Sequence, residues 1–405
     1  MTGLRHQPPV HSPLSAAALL AGAWSAVSRN GRPAHAAERL SALLRKRYGA
    51  KAVLLTDSGT AALTAALIAT LKDRREPAAA VALPAYGCYD LATAADGADA
   101  RVLLYDLDPH RLALDEAQID ATLRQGVAAI VVAHFYGCPV DLSLVNRLAA
   151  TTGTIVIEDA AQALGATVRD RAAGSQSSLA VLSFGRGKGL TGGSGGALLA
   201  HDRAGERILN IARELLGEAQ RGWVELLAAT AQFVLERPNL YALPAALPFL
   251  HLGETIYRVP RPLRRPTRAS CSVVAGTWLL AERETEVRQR NGERLLRELR
   301  AQPGFETIVP PGHTRPGYLR LPVLASPIVR RAVAEPAARR LGVMAGYPRV
   351  LCDLERFGER CLNRDAAFPG ARLLVARLCT LPTHGRLASR DFERLSRWIR
   401  KVGGP

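Results

Sequence analysis

One lysine stands in a context that suits covalent chemistry. Lys188 follows the segment Ser183–Gly187 and precedes a glycine-rich run at 192–196. Lysine occurs only five times in the chain, whereas lysine and arginine together number 53. An arginine stays protonated in proteins, but a lysine amine can lose its proton and attack a carbonyl to form a Schiff base. We therefore predict that Lys188 is a nucleophilic amine, with an ordinary surface lysine as the alternative.

A second segment has the features of a phosphate site. Ser58, Gly59 and Thr60 come directly after a predicted strand and open a predicted helix. The free backbone amides and the dipole at a helix start attract anions, and the Thr60 hydroxyl adds another donor. The segment therefore predicts phosphate binding, although an ordinary capped helix would produce the same pattern.

The third candidate segment has two acidic residues at the end of a predicted strand. Glu158 and Asp159 follow an apolar run, and Gln162 comes three residues later. A buried carboxylate is costly unless it is paired, and a protonated pyridine nitrogen is one suitable partner. Asp159 is therefore a candidate ligand for such a ring, and a cap for the next helix is the alternative.

The chain around these three segments alternates between predicted strands and predicted helices. The predicted strands are 52–55, 80–83, 101–105, 128–133, 154–158, 179–184 and 197–200, and the predicted helices are 59–71, 90–96, 115–124 and 142–151. Repeated strand-helix-strand units indicate an α/β fold with a largely parallel sheet covered by helices on both faces. Ligands of such sheets bind at the carboxyl ends of the strands, where all three segments lie.

The N-terminal part of the chain predicts two helices, at 14–27 and 34–48. Ser12 and Pro13 would supply the cap and the first residue of the first helix. The apolar run at 14–27 also resembles the centre of a signal peptide, but the helix that follows it favours two packed helices of a cytosolic domain.

The chain leaves the alternating pattern at 217–267. A helix at 223–234 is followed by closely spaced prolines, which predict an ordered loop. This segment would serve as a linker between domains or subunits, or as a lid over the substrate. Beyond it, the alternating Glu and Arg residues at 277–300 predict a solvated helix.

Composition excludes several classes of protein. Apolar residues make up 48% of the 405 residues and charged residues 22%, as in a folded water-soluble protein. The net charge of +17 attracts anions, but aromatic residues are only 5%, so we do not expect nucleic-acid binding. No apolar run reaches the roughly 20 residues that span a bilayer. The six cysteines lack metal-site spacing and fit a reducing compartment, so we predict no metal site and a cytoplasmic location.

Several motifs occur in the order and spacing of one enzyme family. They are S-G-T-A-A-L at 58–63, L-P-A-Y-G-C-Y at 83–89, the segment 97–109, H-F-Y-G-C-P-V-D at 134–141, I-E-D-A-A-Q-A-L-G-A at 157–166 and S-F-G-R-G-K-G-L-T-G-G-S-G-G-A-L at 183–198. The chain resembles the sugar aminotransferases of the DegT/DnrJ/EryC1/StrS family, which depend on pyridoxal 5'-phosphate (PLP). The resemblance covers about 34–200, and more loosely 271–400.

The resemblance implies the aspartate-aminotransferase-like fold type I. A large PLP-binding domain with a mostly parallel central sheet would occupy residues 1–250, including the N-terminal helices and the variable 217–267 segment. A smaller C-terminal α+β domain would occupy residues 271–405.

The resemblance also implies roles for individual residues. Lys188 matches the lysine that bonds covalently to PLP, and Asp159 matches the carboxylate that keeps the pyridine nitrogen protonated. Gln162 matches a residue near the 3-hydroxyl of the cofactor. Ser58, Gly59, Thr60 and Ser183 match the residues that bind the phosphate of the cofactor.

The chain departs from the family pattern at two positions. Family members usually stack a Phe or Trp on the PLP ring where this chain has Cys88. Stacking then falls to Tyr86 or Tyr89, or the ring is held less tightly on that face. The family also commonly uses an Asn-x-Arg segment of the partner subunit to reach the phosphate, and here 264–268 contains arginines but no Asn.

The resemblance implies a homodimeric aminotransferase with its active site near the subunit interface. It would transfer an amino group from an amino acid, expected to be glutamate, to a keto sugar, expected to be nucleotide-linked. One alternative is a PLP-dependent sugar dehydratase, although a histidine replaces the lysine in that branch. The other is a noncatalytic PLP-binding protein of a polysaccharide cluster, which Cys88 and the missing Asn would suit.

Overall fold

A computed structural model describes residues 5–27, 34–74, 76, 79–247 and 253–404 of the protein. The helices are α1 (Ala16–Val27), α2 (Ala34–Tyr48), α3 (Gly59–Arg74), α4 (Tyr89–Gly97), α5 (Glu116–Arg124), α6 (Ser143–Thr152), α7 (Arg203–Glu214), α8 (Trp223–Leu235), α9 (Ala242–Ala245), α10 (Arg268–Leu299), α11 (Pro327–Val333), α12 (Pro336–Arg340), α13 (Glu355–Gly358), α14 (Pro369–Arg377) and α15 (Ser389–Gly403). The strands are β1 (Ala52–Thr56), β2 (Ala80–Pro84), β3 (Arg101–Tyr105), β4 (Leu107–Asp108), β5 (Ala113–Leu114), β6 (Ala129–Ala133), β7 (Ile155–Asp159), β8 (Thr167–Val168), β9 (Arg171–Ala172), β10 (Leu179–Ser183), β11 (Gly196–Ala200), β12 (Phe305–Thr307), β13 (Thr314–Arg315), β14 (Leu321–Ala325), β15 (Met344–Ala345) and β16 (Leu378–Leu381).

The central sheet has seven strands in the order β1-β11-β10-β7-β6-β2-β3. The pairs from β10 to β3 are parallel, whereas β11 runs antiparallel to both of its neighbours. Every residue of β2, β6 and β11 is buried, which explains their short, wholly apolar sequences. The predicted α/β fold with a mostly parallel sheet is confirmed.

A second sheet forms near the C-terminus, in the antiparallel order β12-β14-β16-β15. The sequence analysis did not predict the smaller pieces, a hairpin of β4 and β5 and a sheet ordered β13-β8-β9. The N-terminal residues lie against this part of the chain, since Arg5 pairs with Asp391 at 2.7 Å and the Gln7 amide bonds to the Arg340 carbonyl. The domain limits 1–250 and 271–405 stay predictions.

Helix α10 corrects the prediction of a solvated helix at 277–300. It begins at Arg268, where the Thr267 hydroxyl accepts a hydrogen bond from the Ser270 amide at 3.1 Å. Its buried residues include Val273 and Leu295, and the helix packs against α1 and α2. The charge pattern described one side of the helix and could not show that other helices cover the opposite side.

The first helix begins later than predicted. The Ser15 hydroxyl, rather than that of Ser12, accepts a hydrogen bond from the Ala18 amide at the start of α1. The Ser12 hydroxyl instead donates to the carbonyl oxygen of Lys188, far along the chain. The predicted helix at 223–234 is confirmed as α8, and residues 248–252 of the following loop lie outside the described residues. Across the described ranges, no helix is long and apolar enough to cross a bilayer.

The loop after Lys188 approaches α8 closely at Gly193, and a substitution there tests this contact. Its φ is +82°, and a Cβ at this position would overlap the carbonyl oxygen of Glu225. We expect Gly193→Ala to lower the free energy of unfolding by about 3 kcal/mol, of which the left-handed backbone accounts for about 1 and the overlap for about 2. Gly126→Ala is the matched control, since φ is +73° there but no atom lies within 4 Å. If urea denaturation shows that Gly193→Ala and Gly126→Ala lose equal free energy of unfolding, the close approach of the loop to α8 is contradicted.

Candidate active site

Three predicted segments meet at one edge of the central sheet. Asp159 ends β7 and Ser183 ends β10, and the two strands pair in parallel with Val181 beside Asp159. Strand β1 points the same way as β10, because both are antiparallel to β11, and Ser58 follows its end. Lys188 lies in the loop after β10. The carboxyl edge of the sheet therefore collects a lysine, a carboxylate and hydroxyl groups.

The start of α3 and the end of β10 form a cradle of hydrogen-bond donors. The Ser58 hydroxyl caps α3 by accepting from the Ala61 amide at 3.0 Å. The amides of Gly59 and Thr60 belong to the first turn of α3, whose amides have no partner within the helix. A Cβ on Gly59 would lie 2.6 Å from the Cβ of Ser183, so the Ser183 side chain reaches the helix start only because residue 59 is glycine. This donor set fits a phosphate group.

Lys188 lies near a carboxyl group and a thiol. Burial raises the pKa of the Asp159 carboxyl, and the Lys188 ammonium is the largest opposing influence. Burial also raises the pKa of the Cys88 thiol to about 12, with Asp90 adding to the rise and Lys188 again opposing it. One oxygen of Asp159 accepts a hydrogen bond from the Ala161 amide at 3.0 Å, which orients the carboxyl group.

The two tyrosines proposed for ring stacking are packed into the core. Tyr86 is fully buried, and its hydroxyl lies 3.1 Å from that of Tyr136 and accepts a hydrogen bond from the Tyr347 amide. Tyr89 is only 4% exposed and belongs to the same hydrophobic cluster. Cys88 is instead the residue of this segment on whose pKa the Lys188 cation acts.

Gln162 is held by Tyr136 and Tyr347, neither of which the sequence analysis singled out as a site residue. The side-chain oxygen of Gln162 accepts from the Tyr136 amide at 2.8 Å, and its nitrogen donates to the Tyr347 hydroxyl at 2.7 Å. The Tyr347 ring stacks on that of Tyr136, with centroids 5.6 Å apart. Burial raises the pKa of the Tyr347 hydroxyl, and Cys88 and Asp159 are close enough to add to the rise. Tyr347 follows β15, and no sequence pattern relates it to Gln162.

The two adjacent acids have different surroundings. Glu158 is fully buried and lies 2.7 Å from the ring nitrogen of His134. It also accepts hydrogen bonds from the amides of Gly174 and Gln176. Burial alone would raise the pKa of this carboxyl, but His134 and the amides together hold it below the ordinary value. Glu158 therefore stabilises the sheet, and Asp159 is the acid that faces the site.

The arginine segment at 264–268 approaches the cradle within the same subunit. The Arg264 carbonyl accepts a hydrogen bond from the Asp57 amide at 3.0 Å. Burial raises the pKa of the Asp57 carboxyl, and both the Ser58 hydroxyl and the Arg264 cation oppose the rise. The structure therefore places a cation of this segment beside the residue that precedes Ser58.

Glu158 generates a prediction about acid stability. Folding lowers the pKa of Glu158. Its contribution to folding stability is therefore complete at pH values above the ordinary pKa of 4.5, and it is lost as the pH falls through the pKa of the folded state. We expect Glu158→Gln to lower the free energy of unfolding at pH 7 by about 3 kcal/mol, because the buried His134 loses its charged partner. The loss should shrink at about pH 3.5, whereas the exposed control Glu359→Gln should change little at either pH. A loss that does not depend on pH would contradict this.

Asp159 generates the opposite prediction. Its pKa is raised on folding, so the folded state favours the protonated acid, and stability is lost as the pH rises from the ordinary value of 3.8 through the folded value. We expect Asp159→Asn to raise the melting temperature of the cofactor-free protein at pH 7 and to change it little near pH 3. The exposed Asp365→Asn is the control. A lower melting temperature at pH 7 would show that Asp159 is a stabilising residue instead.

Comparisons with known proteins identify relatives of this chain. The sequence model of the DegT/DnrJ/EryC1/StrS aminotransferase family matches residues 24–229. The chain is 36% identical over 149 residues to L-glutamine:2-deoxy-scyllo-inosose aminotransferase of Micromonospora echinospora, a match that covers 37% of this chain and 35% of the relative. It is 33% identical over 154 residues to GDP-perosamine synthase of Caulobacter vibrioides, covering 38% and 41%. The chain therefore matches well under half the length of these relatives.

A solved structure extends the likeness to the whole fold. The sugar aminotransferase CalS13 from Micromonospora echinospora superposes with a TM-score of 0.75 over 97% of this chain and 99% of that one. The sequence identity is 20%, so this likeness concerns the fold alone.

Proposed function

The chain belongs to the DegT/DnrJ/EryC1/StrS aminotransferase family, and we propose that it is a PLP-dependent aminotransferase that moves an amino group from an amino acid to a keto sugar. The observation that carries the proposal is that Lys188, whose charge acts on the buried Asp159 carboxyl, follows the strand whose last residue, Ser183, packs against the start of α3. An ordinary surface lysine would require neither a buried carboxyl group nor a set of phosphate donors at the same sheet edge.

The residues present suit PLP. Ser58, Gly59, Thr60 and Ser183 would hold its phosphate, and the Asp159 oxygen not bonded to Ala161 would hold the ring nitrogen. When bound, the cofactor supplies an electron sink for the substrate carbon next to the nitrogen. In place of the usual aromatic residue, Cys88 would contact one ring face.

The protein residues prepare the site for proton transfer. Lys188 would accept the proton from the substrate α-carbon and return a proton during the exchange of the amino group. The Ser12 hydroxyl holds the Lys188 carbonyl, which orients the loop that carries the amine. Tyr136 and Tyr347 orient the Gln162 amide, so that it would present its second N–H to a ligand oxygen.

The substrates are proposed from charge and from the names of relatives. The net charge of +17 would favour a nucleotide-linked keto sugar, which carries phosphates. The relatives are named for an inosose aminotransferase and a perosamine synthase, which supports a keto sugar or a keto cyclitol as the acceptor. Glutamate is the donor that we propose, and glutamine, which appears in a relative's name, belongs in the same assay.

Assembly and location extend the proposal. We propose a cytoplasmic homodimer with the active site near the subunit interface, as the family resemblance implies. The presence of Lys188 counts against the sugar dehydratase, since that branch of the family has histidine at this position. The noncatalytic alternative predicts a protein that binds PLP and responds to no amino donor.

The central test removes the Lys188 amine. We expect purified wild-type protein to retain PLP covalently after borohydride reduction, and its visible absorption to bleach when glutamate is added. Lys188→Ala should lose both properties, and Lys188→Arg should match it because arginine keeps the charge but not the nucleophile. The loss of turnover should be at least about a thousandfold. The matched control is Lys401→Ala, which should behave as wild type.

Two outcomes would contradict the proposal. Covalent retention of PLP by Lys188→Ala would show that the site assignment is wrong. A wild-type absorption band that no amino donor changes would support the noncatalytic alternative.

A further inference from the structure

Two neighbouring helices expose apolar side chains to solvent. On α1 these are Leu20, Trp24 and Val27, and on α8 they are Trp223, Val224 and Leu227; we call these six residues the apolar face. Leu20 is 71% exposed and Val224 is 74% exposed. Helix α1 contains no charged residue, and the single charged residue of α8, Glu225, is half-buried. Exposed apolar patches of this kind mark binding surfaces.

The two helices that carry the apolar face pack against each other and against α10. Leu19 of α1, Leu226 of α8 and Val273 of α10 share one buried cluster. Gly22 allows the close approach, because a Cβ there would lie 2.7 Å from Val273 and 3.3 Å from Leu226. Since α1 and α8 pack against each other as well as against α10, their exposed sides are neighbours on the protein surface.

The apolar face offers almost no hydrogen-bonding groups to a partner. The Ser25 hydroxyl donates to the Ala21 carbonyl at 2.9 Å, and the Thr230 hydroxyl donates to the Leu226 carbonyl at 2.8 Å. The polar side chains of these turns are therefore satisfied within their own helices. A protein interface carries about one hydrogen bond per 100–200 Å², whereas a lipid surface requires none.

Charge and aromatic residues at its rim match a lipid surface. Exposed Arg221 and Arg237 flank α8 at its two ends. Of the four tryptophans, Trp24 and Trp223 are exposed and both lie in the apolar face, while the other two are buried. Tryptophan favours the boundary between lipid and water, and arginine is attracted to anionic headgroups.

We propose that the apolar face docks on the surface of a membrane that contains anionic phospholipids. The outer sides of α1 and α8 would enter the headgroup boundary to a depth of about 5–10 Å, without crossing the bilayer. Arg221 and Arg237 would bind phosphate headgroups, and the net charge of +17 would strengthen the attraction. The proposal does not depend on the aminotransferase activity.

Flotation of the full-length protein with vesicles tests the docking. We expect wild type to float with vesicles of phosphatidylcholine and phosphatidylglycerol, to shift its tryptophan emission to shorter wavelength, and to bind less as salt rises. Arg221→Gln and Arg237→Gln should each weaken binding about fivefold. The double variant Leu20→Glu, Leu227→Glu should weaken it at least about tenfold. Ile328→Glu, at an equally exposed residue of α11, is the matched control and should bind as wild type.

Other results would overturn the proposal. If the wild-type protein does not float with the vesicles at low salt, lipid docking is excluded. Equal binding to neutral vesicles would exclude the role of the arginines. If light scattering shows that the double variant changes the protein from dimer to monomer while wild type ignores vesicles, the apolar face is the contact between two copies. Far-ultraviolet circular dichroism of each variant would show that the fold is retained.

Discussion

Parallel pairing of β10, β7, β6 and β2 is the constraint on which the site depends. Parallel strands end at the same sheet edge, so residues from distant parts of the sequence are placed together there. The antiparallel β11 lets β1 end at this edge too, which brings the start of α3 against Ser183. Close packing at that point requires a glycine at 59, so the geometry of the donor cradle follows from backbone packing as well as from its hydroxyl groups.

Two buried acidic residues at this edge, Glu158 and Asp159, are compensated to different degrees. Glu158 and Asp159 are neighbours, yet successive residues of a strand point to opposite faces. Glu158 meets His134 and two backbone amides, which compensate for its burial. Asp159 receives one backbone hydrogen bond and the influence of Lys188, and its pKa stays raised. A carboxylate kept with incomplete compensation is typical of a functional position.

The lysine loop is also connected to the helices that bear the apolar face. Gly193, five residues after Lys188, packs against the Glu225 carbonyl of α8. Ser12, just before α1, binds the Lys188 carbonyl. Docking of α1 and α8 on a surface would therefore involve α8 and the helix that follows Ser12, so both contacts to the lysine loop lie close to the docked helices.

The amino-acid sequence was sufficient to predict the alternation of strands and helices, the positions of Lys188 and Asp159 after strands, and the glycine and hydroxyl groups of the cradle. These are local patterns, because a strand, a helix start or a glycine turn depends on residues close together in the chain. Three features became visible only in the folded chain: Tyr347 holds Gln162, one side of α10 is buried, and apolar side chains of α1 and α8 are exposed. Such features depend on which distant segment covers a given face, and periodicity records that a face is apolar without recording what lies on it.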